Sequence, residues 1–224
     1  NDMKSGSIEK WLLSTLSVSN SLLESKSIKD RIVLEDVPSC REYLEPIINA
    51  MKKNRFIHIC YFNYWKGDTR DHYVMPLCVK LFRQRLYMVG RNWPAGRNLV
   101  FCLDRIWDFR ISSHTFKFPE DFDTQEYFNG CIGVIPGDRC GIEKVKIKVS
   151  PGQANYLRDL PLHDSQQETE QTDEYSIFEL QVRPTFDFQQ ELLWNGEDLE
   201  VLEPLWLRKE VAGKIKRMWN RYKE

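Results

Sequence analysis

The sequence contains no apolar run near the ~18 residues that a membrane-spanning helix requires, and no stretch of it reads as a signal peptide. Its six cysteines (Cys40, Cys60, Cys78, Cys102, Cys131, Cys140) include no C-x-x-C. They are widely spaced, and Cys60, Cys78 and Cys102 lie among apolar residues. That pattern points to buried, reduced thiols in a cytoplasmic protein rather than to disulfides or a metal knuckle. Net charge is almost absent, since 32 Lys and Arg face 33 Asp and Glu. A chain so balanced does not coat nucleic acid indiscriminately, and any such binding must come from a local patch. Catalytic signatures are missing as well: there is no G-x-S-x-G, no H-E-x-x-H and no phosphate loop. The four histidines (His58, His72, His114, His163) are scattered. His58 and Cys60 share a strand face, but nothing points to two further ligands, so a buried neighbourhood is the plainer reading. The chain reads as a non-enzyme with no cofactor or metal assigned.

The hydrophobic fraction of 42% and charged fraction of 29% are ordinary globular values and argue against disorder. One stretch is uneven. From Val74 to Ile111, seven basic residues (Lys80, Arg83, Arg85, Arg91, Arg97, Arg105, Arg110) face two acids, Asp104 and Asp108. A basic, aromatic-laced run in a neutral protein suggests a face built to hold something anionic.

Along the chain, residues 7–24 have helical spacing with Ser7 as N-cap, and Leu22, Leu23 and Ile28 begin another short apolar face. Met3 follows Asn1-Asp2, so the start reads as a cut in a longer chain. Pro46 suits the first turn of a helix through Asn54. Strands are then expected over 55–62, 72–81, 85–91, 99–103 and 106–111, which points to a small twisted barrel or SH3-like sheet. Residues 112–140 form a connection anchored by Phe116, Phe118 and Phe122. Its segment from Gly130 to Asp138 is glycine-rich but lacks G-K-[ST], so it reads as turns between two modules. A second unit follows with strands over 144–149, 175–183 and 199–202. Ser150-Pro151 opens one helix, Asp187 with Gln190 forms a capping box for the next, and Pro204 opens the last. The acidic run 163–174 is expected to be an exposed turn. This order fits a small α+β sandwich.

In the third strand Arg85, Tyr87 and Arg91 share one face, with Tyr87 and Arg91 ~13 Å apart at ~3.3 Å per residue. Arginine offers a planar donor fork for phosphate, and tyrosine a stacking surface for a base. Arg105 ends the neighbouring strand; His72, Tyr61 and Tyr64 complete a rim. The plainer alternative is an exposed sheet face carrying Arg and Tyr for solubility, with Arg105 paired to Asp104.

The run MPLCVKLFRQRLYMVGRN, followed by LVFCLDRI, resembles the WYL domain of bacterial transcriptional regulators. The naming triplet reads Leu86-Tyr87-Met88 here, so its tyrosine alone is kept. Leu103-Asp104-Arg105-Ile106 matches the family's second motif, and the tail from Phe186 to Val211 resembles the extension that follows WYL domains. The resemblance covers roughly 45–224. It implies an α+β fold: a small Sm/SH3-like β-barrel and then a ferredoxin-like extension that contributes to dimerisation. The implied division is a helical connector over 1–52, from an upstream helix-turn-helix domain that reads operator DNA, the barrel over 53–118, a linker over 119–140 and the extension over 141–224. It also implies a nucleotide or single-stranded nucleic-acid effector held by Tyr87, Arg91 and Arg105, with Tyr61, His72 and Arg85 beside them. The second reading is a protein–protein or enzyme-activating scaffold without a nucleotide ligand.

Overall fold

A computed structural model describes residues 41–136 and 140–223. The helical segments expected over 7–28 lie outside the described residues. The chain is α+β, with two antiparallel sheets built one after the other. Among the described residues, helix α1 (Arg41–Lys52) comes first. Pro46 lies inside it rather than at its start. It is close enough to the first turns that its missing N–H costs a single intrahelical bond. Ile47 and Ala50 on its inner side are fully buried.

The first sheet comprises β1 (Arg55–Asn63), β2 (Asp68–Phe82), β3 (Arg85–Asn92), β4 (Asn98–Cys102) and β5 (Ile106–Thr115), in the order β4-β3-β2-β1-β5. Its two edge strands are consecutive in the chain, joined only by the 3-10 turn Leu103–Arg105. A flat five-stranded sheet would put its edges ~19 Å apart at ~4.8 Å per strand, whereas three 3-10 residues advance ~6 Å. The sheet must therefore curl until β4 approaches β1. The Tyr61 hydroxyl on β1 accepts the Cys102 N–H of β4 at 3.1 Å across that gap. Alternation decides what fills the curl: Ile57, Ile59, Val74, Met88, Phe101, Leu103 and Ile106 point inward and meet Ile47 and Ala50 of α1. The β2–β3 hairpin turns on Arg83 and Gln84, both at positive φ (45° and 62°), as a two-residue turn matched to strand twist demands.

The outer face of β2, β3 and β4 is also covered. Met75, Leu77, Cys78 and Val89 pack against Phe122, with Phe116, Tyr127 and Phe128 beside them. Those aromatics belong to the segment after β5, which includes the single-turn helix α2 (Thr124–Tyr127), capped by Asp123 through the N–H groups of Gln125 and Glu126.

The second sheet contains β6 (Glu143–Val149), β7 (Gln167–Gln171), β8 (Ser176–Val182) and β9 (Leu199–Glu203), in the order β7-β8-β6-β9. With helices α3 (Pro151–Asp159) and α4 (Phe186–Trp194), the sequence βαββαβ and this strand order make a ferredoxin-like unit, and α5 (Leu205–Tyr222) follows it. The acidic run expected to be only a turn contributes β7. Its five residues are all exposed, so no apolar alternation marks the strand. Ser150 caps α3 as expected, its hydroxyl accepting from Gln153 N–H with Pro151 in the first turn. The core is one-sided: Val145, Ile147, Val149, Phe178, Leu180 and Val182 face Ala154, Leu157, Phe188, Leu192, Leu207 and Val211.

The expected capping box at Asp187 does not form. Thr185 occupies the N-cap position without a side-chain bond. The Asp187 carboxylate instead accepts the Val134 and Ile135 N–H groups at 2.8 and 2.9 Å. No helix among the described residues is long and apolar enough to cross a membrane.

Candidate functional site

A cavity of about 720 Å³ opens where the curled sheet meets the connection and α4. The 3-10 turn explains its chemistry. With three residues per turn, successive side chains leave ~120° apart. Leu103 goes into the barrel core, Asp104 reaches Arg85 at 2.5 Å, and Arg105 turns into the cavity. Asp104 thus pairs with Arg85, not with Arg105 as the plainer alternative had it. Among the described residues no carboxylate comes within 4.0 Å of Arg105. Its guanidinium lies 4.1 Å over the Tyr64 ring, and its Nε is buried without a hydrogen-bond partner.

Aromatic rings wall the space: Tyr61, Tyr64, Trp65 and Tyr87 from the barrel, and Phe186 from α4. Burial pushes the Tyr61 phenol up, against the lowering effects of the Cys102 N–H and Arg105. Burial and then Cys102 push Tyr87 up as well. Cys102, also in the wall, is raised to about 11 by burial and by Asp104. All three therefore stay protonated near neutral pH and bring no negative charge to an anion beside Arg105.

The remaining wall is a strap, Val134 to Pro136, held from two sides. Lys80 on β2 donates to the Gly133 carbonyl at 2.6 Å and lies 4.0 Å over the Phe128 ring. Burial lowers its pKa, with Cys131 and Asp187 acting against that shift. From the other side Asp187 takes the two strap N–H groups. Gly133 is required between them, because at φ +92° a Cβ there would lie 2.3 Å from the Asp187 carboxylate. Ile132 is buried in the second core, so the strap belongs to both sheets.

Arg91 sits elsewhere. Sequence alternation put it on one exposed face with Tyr87, but Val89 between them is buried under Phe122. The aromatic ridge splits the face, and Arg91 enters a separate cavity of about 390 Å³ with Asp121, Asp123 and Glu126. There its fork meets Asp121 at 2.9 and 3.0 Å, and its Nε meets Asn98 at 2.9 Å. His72 contacts the Tyr61 and Phe101 rings at 6.4 and 5.1 Å between centroids without lining the large cavity. The structure thus brings Tyr61, Tyr87 and Arg105 together and leaves Arg91, His72 and Arg85 outside. Trp65, Phe186 and the strap were not legible as site residues. Trp65 carried one signal, an indole beside a Lys-Gly-Asp turn, where it is 94% exposed.

Two family models fall on these two sheets: a WYL domain over residues 42–111 and a WCX domain over residues 142–219. The chain carries a WYL domain followed by a WCX domain. Leu103-Asp104-Arg105-Ile106, which builds the closing turn, lies inside the WYL match, and the ferredoxin-like unit inside the WCX match. A search of curated proteins finds no match. Among solved structures the chain is similar to proteasome accessory factor B/C (PafBC) of Arthrobacter aurescens, at 17% identity and TM-score 0.37 over 80% of this chain and 26% of that one. It is also similar to a CRISPR Cas-related protein, at 14% identity and TM-score 0.48 over 83% of this chain and 52% of that one. The chain therefore spans about a quarter of the first and about half of the second.

Proposed function

We propose that this chain is the ligand-sensing and dimerising region of a bacterial transcriptional regulator. In this reading the cavity between the WYL barrel and the WCX domain binds an anionic nucleotide or single-stranded nucleic acid, and a DNA-reading domain outside these residues responds. One observation carries the reading. Arg105 is held over Tyr64 with no carboxylate partner among the described residues and a buried, unpartnered Nε, inside a ring-walled cavity. A buried N–H left without an acceptor is costly, and a phosphate would satisfy it with charge-assisted hydrogen bonds. Tyr61, Tyr87 and Phe186 offer faces for a base.

The test is a fluorescence-anisotropy titration with cyclic nucleotides and short single-stranded oligonucleotides. Binding is expected to weaken as salt rises, as phosphate contacts require. If the wild-type protein binds none of these probes, the reading fails.

Dimerisation is assigned to α5. Ile215, Trp219 and Tyr222, at i, i+4 and i+7, form an exposed apolar stripe on one side of the helix. The double variant Ile215→Asp/Trp219→Asp is expected to be monomeric by light scattering where wild type is a dimer. A dimeric double variant would remove the stripe from the interface.

A further inference from the structure

A separate groove of about 450 Å³ lies between α4 and α5. Lys214, Arg217 and Arg221 line it together with Trp194 and Met218. On a helix of 3.6 residues per turn, positions 214, 217 and 221 fall within an arc of roughly 60°, so the three cations form one row. Lys214 is tied to Gln189 and sits 5.4 Å over the Phe186 ring. Arg217 and Arg221 have no carboxylate within 4.0 Å among the described residues, although most arginines of the barrel are paired. Trp194, at the end of α4, is 82% exposed. A large indole left in water beside a row of unpaired cations is the pairing that single-stranded nucleic acid uses: a ring for a base and cations for the phosphates.

The groove adjoins the cavity. Phe186 lines the cavity wall, and the ammonium over its ring is the first cation of the groove. From Phe186 to Trp194 the helix advances ~12 Å at 1.5 Å per residue, room for about three stacked nucleotides at ~3.4 Å each.

We propose that the α4–α5 groove is a second subsite. One strand leaves the Arg105 cavity past Phe186, lays its phosphates along Lys214, Arg217 and Arg221, and stacks a base on Trp194. This rests on the cavity reading above and narrows it, because a mononucleotide fills the cavity and leaves the groove unused. The effector is therefore an oligonucleotide.

The experiment compares a dinucleotide with a dodecanucleotide, both labelled single strands, on the full chain and on two variants, Trp194→Ala and the double variant Arg217→Ala/Arg221→Ala. Wild type is expected to bind the longer strand at least tenfold more tightly. Each variant is expected to lose roughly five- to hundredfold for the longer strand, the range that one stacked base spans, and nothing for the dinucleotide. Removing two phosphate contacts should also reduce the slope of log affinity against log salt by ~1.4 for the longer strand. All three side chains are exposed, and circular dichroism of each variant checks that it folds. If wild type binds both strands equally, or if the variants bind the longer strand like wild type, the groove is not a subsite and the cavity reading stands. If wild type binds neither strand, the groove proposal falls, and the cavity reading falls with it only if cyclic nucleotides fail to bind as well.

Discussion

The Arg91 corner and the Arg105 cavity flank the same sheet and start from the same side chain. At the corner, Asp121 takes both terminal nitrogens of the guanidinium and Asn98 takes Nε, so every direction of the fork is used. In the cavity the nearest acid in sequence, Asp104, is taken by Arg85, and Arg105 is left over a tyrosine ring with its Nε empty. The difference is decided by what the connection after β5 lays across the sheet. It delivers a carboxylate to one end and an apolar strap to the other. A guanidinium stays available to an added anion only when its neighbours' charges are spent elsewhere, and counting arginines along a strand cannot reveal that.

The strongest way to break this comparison is a matched pair of variants. Arg105→Ala is expected to weaken oligonucleotide binding by roughly ten- to hundredfold, the scale of hydrogen bonds to an ionised group. Arg91→Ala should leave binding within about twofold while lowering stability slightly, since its partner Asp121 is exposed. Equal losses in anisotropy titrations would erase the distinction between the two regions.

The strap can be tested next. Gly133→Ala puts a methyl group against Asp187 at positive φ and should cost about 1–3 kcal/mol in urea denaturation. Gly96→Ala, also at positive φ but with open space around its Cβ, carries the left-handed strain alone, about 1–2 kcal/mol, and should cost less than Gly133→Ala. If the two glycines cost the same, the Asp187 clamp is not holding the wall.

A smaller effect separates the regions along the pH axis. Burial lowers His72, which backs Tyr61, below its ordinary 6.5. The unfolded chain then binds the extra proton first, so this contribution is present above pH 6.5 and lost as pH falls from there toward the folded value. Hydrogen bonding from Arg91 lowers Asp121 below 3.8, so its contribution is present above that value and disappears only as pH falls further. A His72→Gln variant should flatten the melting-temperature profile in the mildly acidic range, and an Asp121→Asn variant should flatten it only below about pH 4. A profile unchanged by His72→Gln would count against burial as the cause.

Much of the architecture was readable because it rests on local periodicity. The strands β6 and β8 alternate, Ser150-Pro151 caps as written, and Leu103-Asp104-Arg105-Ile106 falls where the fourth strand hands over to the fifth. The misreadings share one physical origin. The strand β7 has no apolar face, so its pairing with β8 leaves no trace in its own residues. Asp187 has the spacing of a helix cap, but two N–H groups from residues over fifty positions away take its carboxylate. Arg91 looked free because Asp121 is thirty residues downstream. Partners distant in sequence decided each case, and a single chain read on its own does not display them.

The closing turn Leu103–Arg105 has a thermodynamic consequence. The residues that bring β4 to β5 are also the ones that aim Arg105. Under the proposed reading, an occupant pulling on that guanidinium would latch the turn between β4 and β5, and occupancy would become a term in folding stability. At a hundredfold excess over its dissociation constant, a ligand would add about 2.7 kcal/mol, enough for unlabelled candidate effectors to be ranked by the melting temperature of the protein alone. The linkage also runs inward: loosening the seam from the core side at Leu103, which touches no ligand, would weaken affinity at the surface.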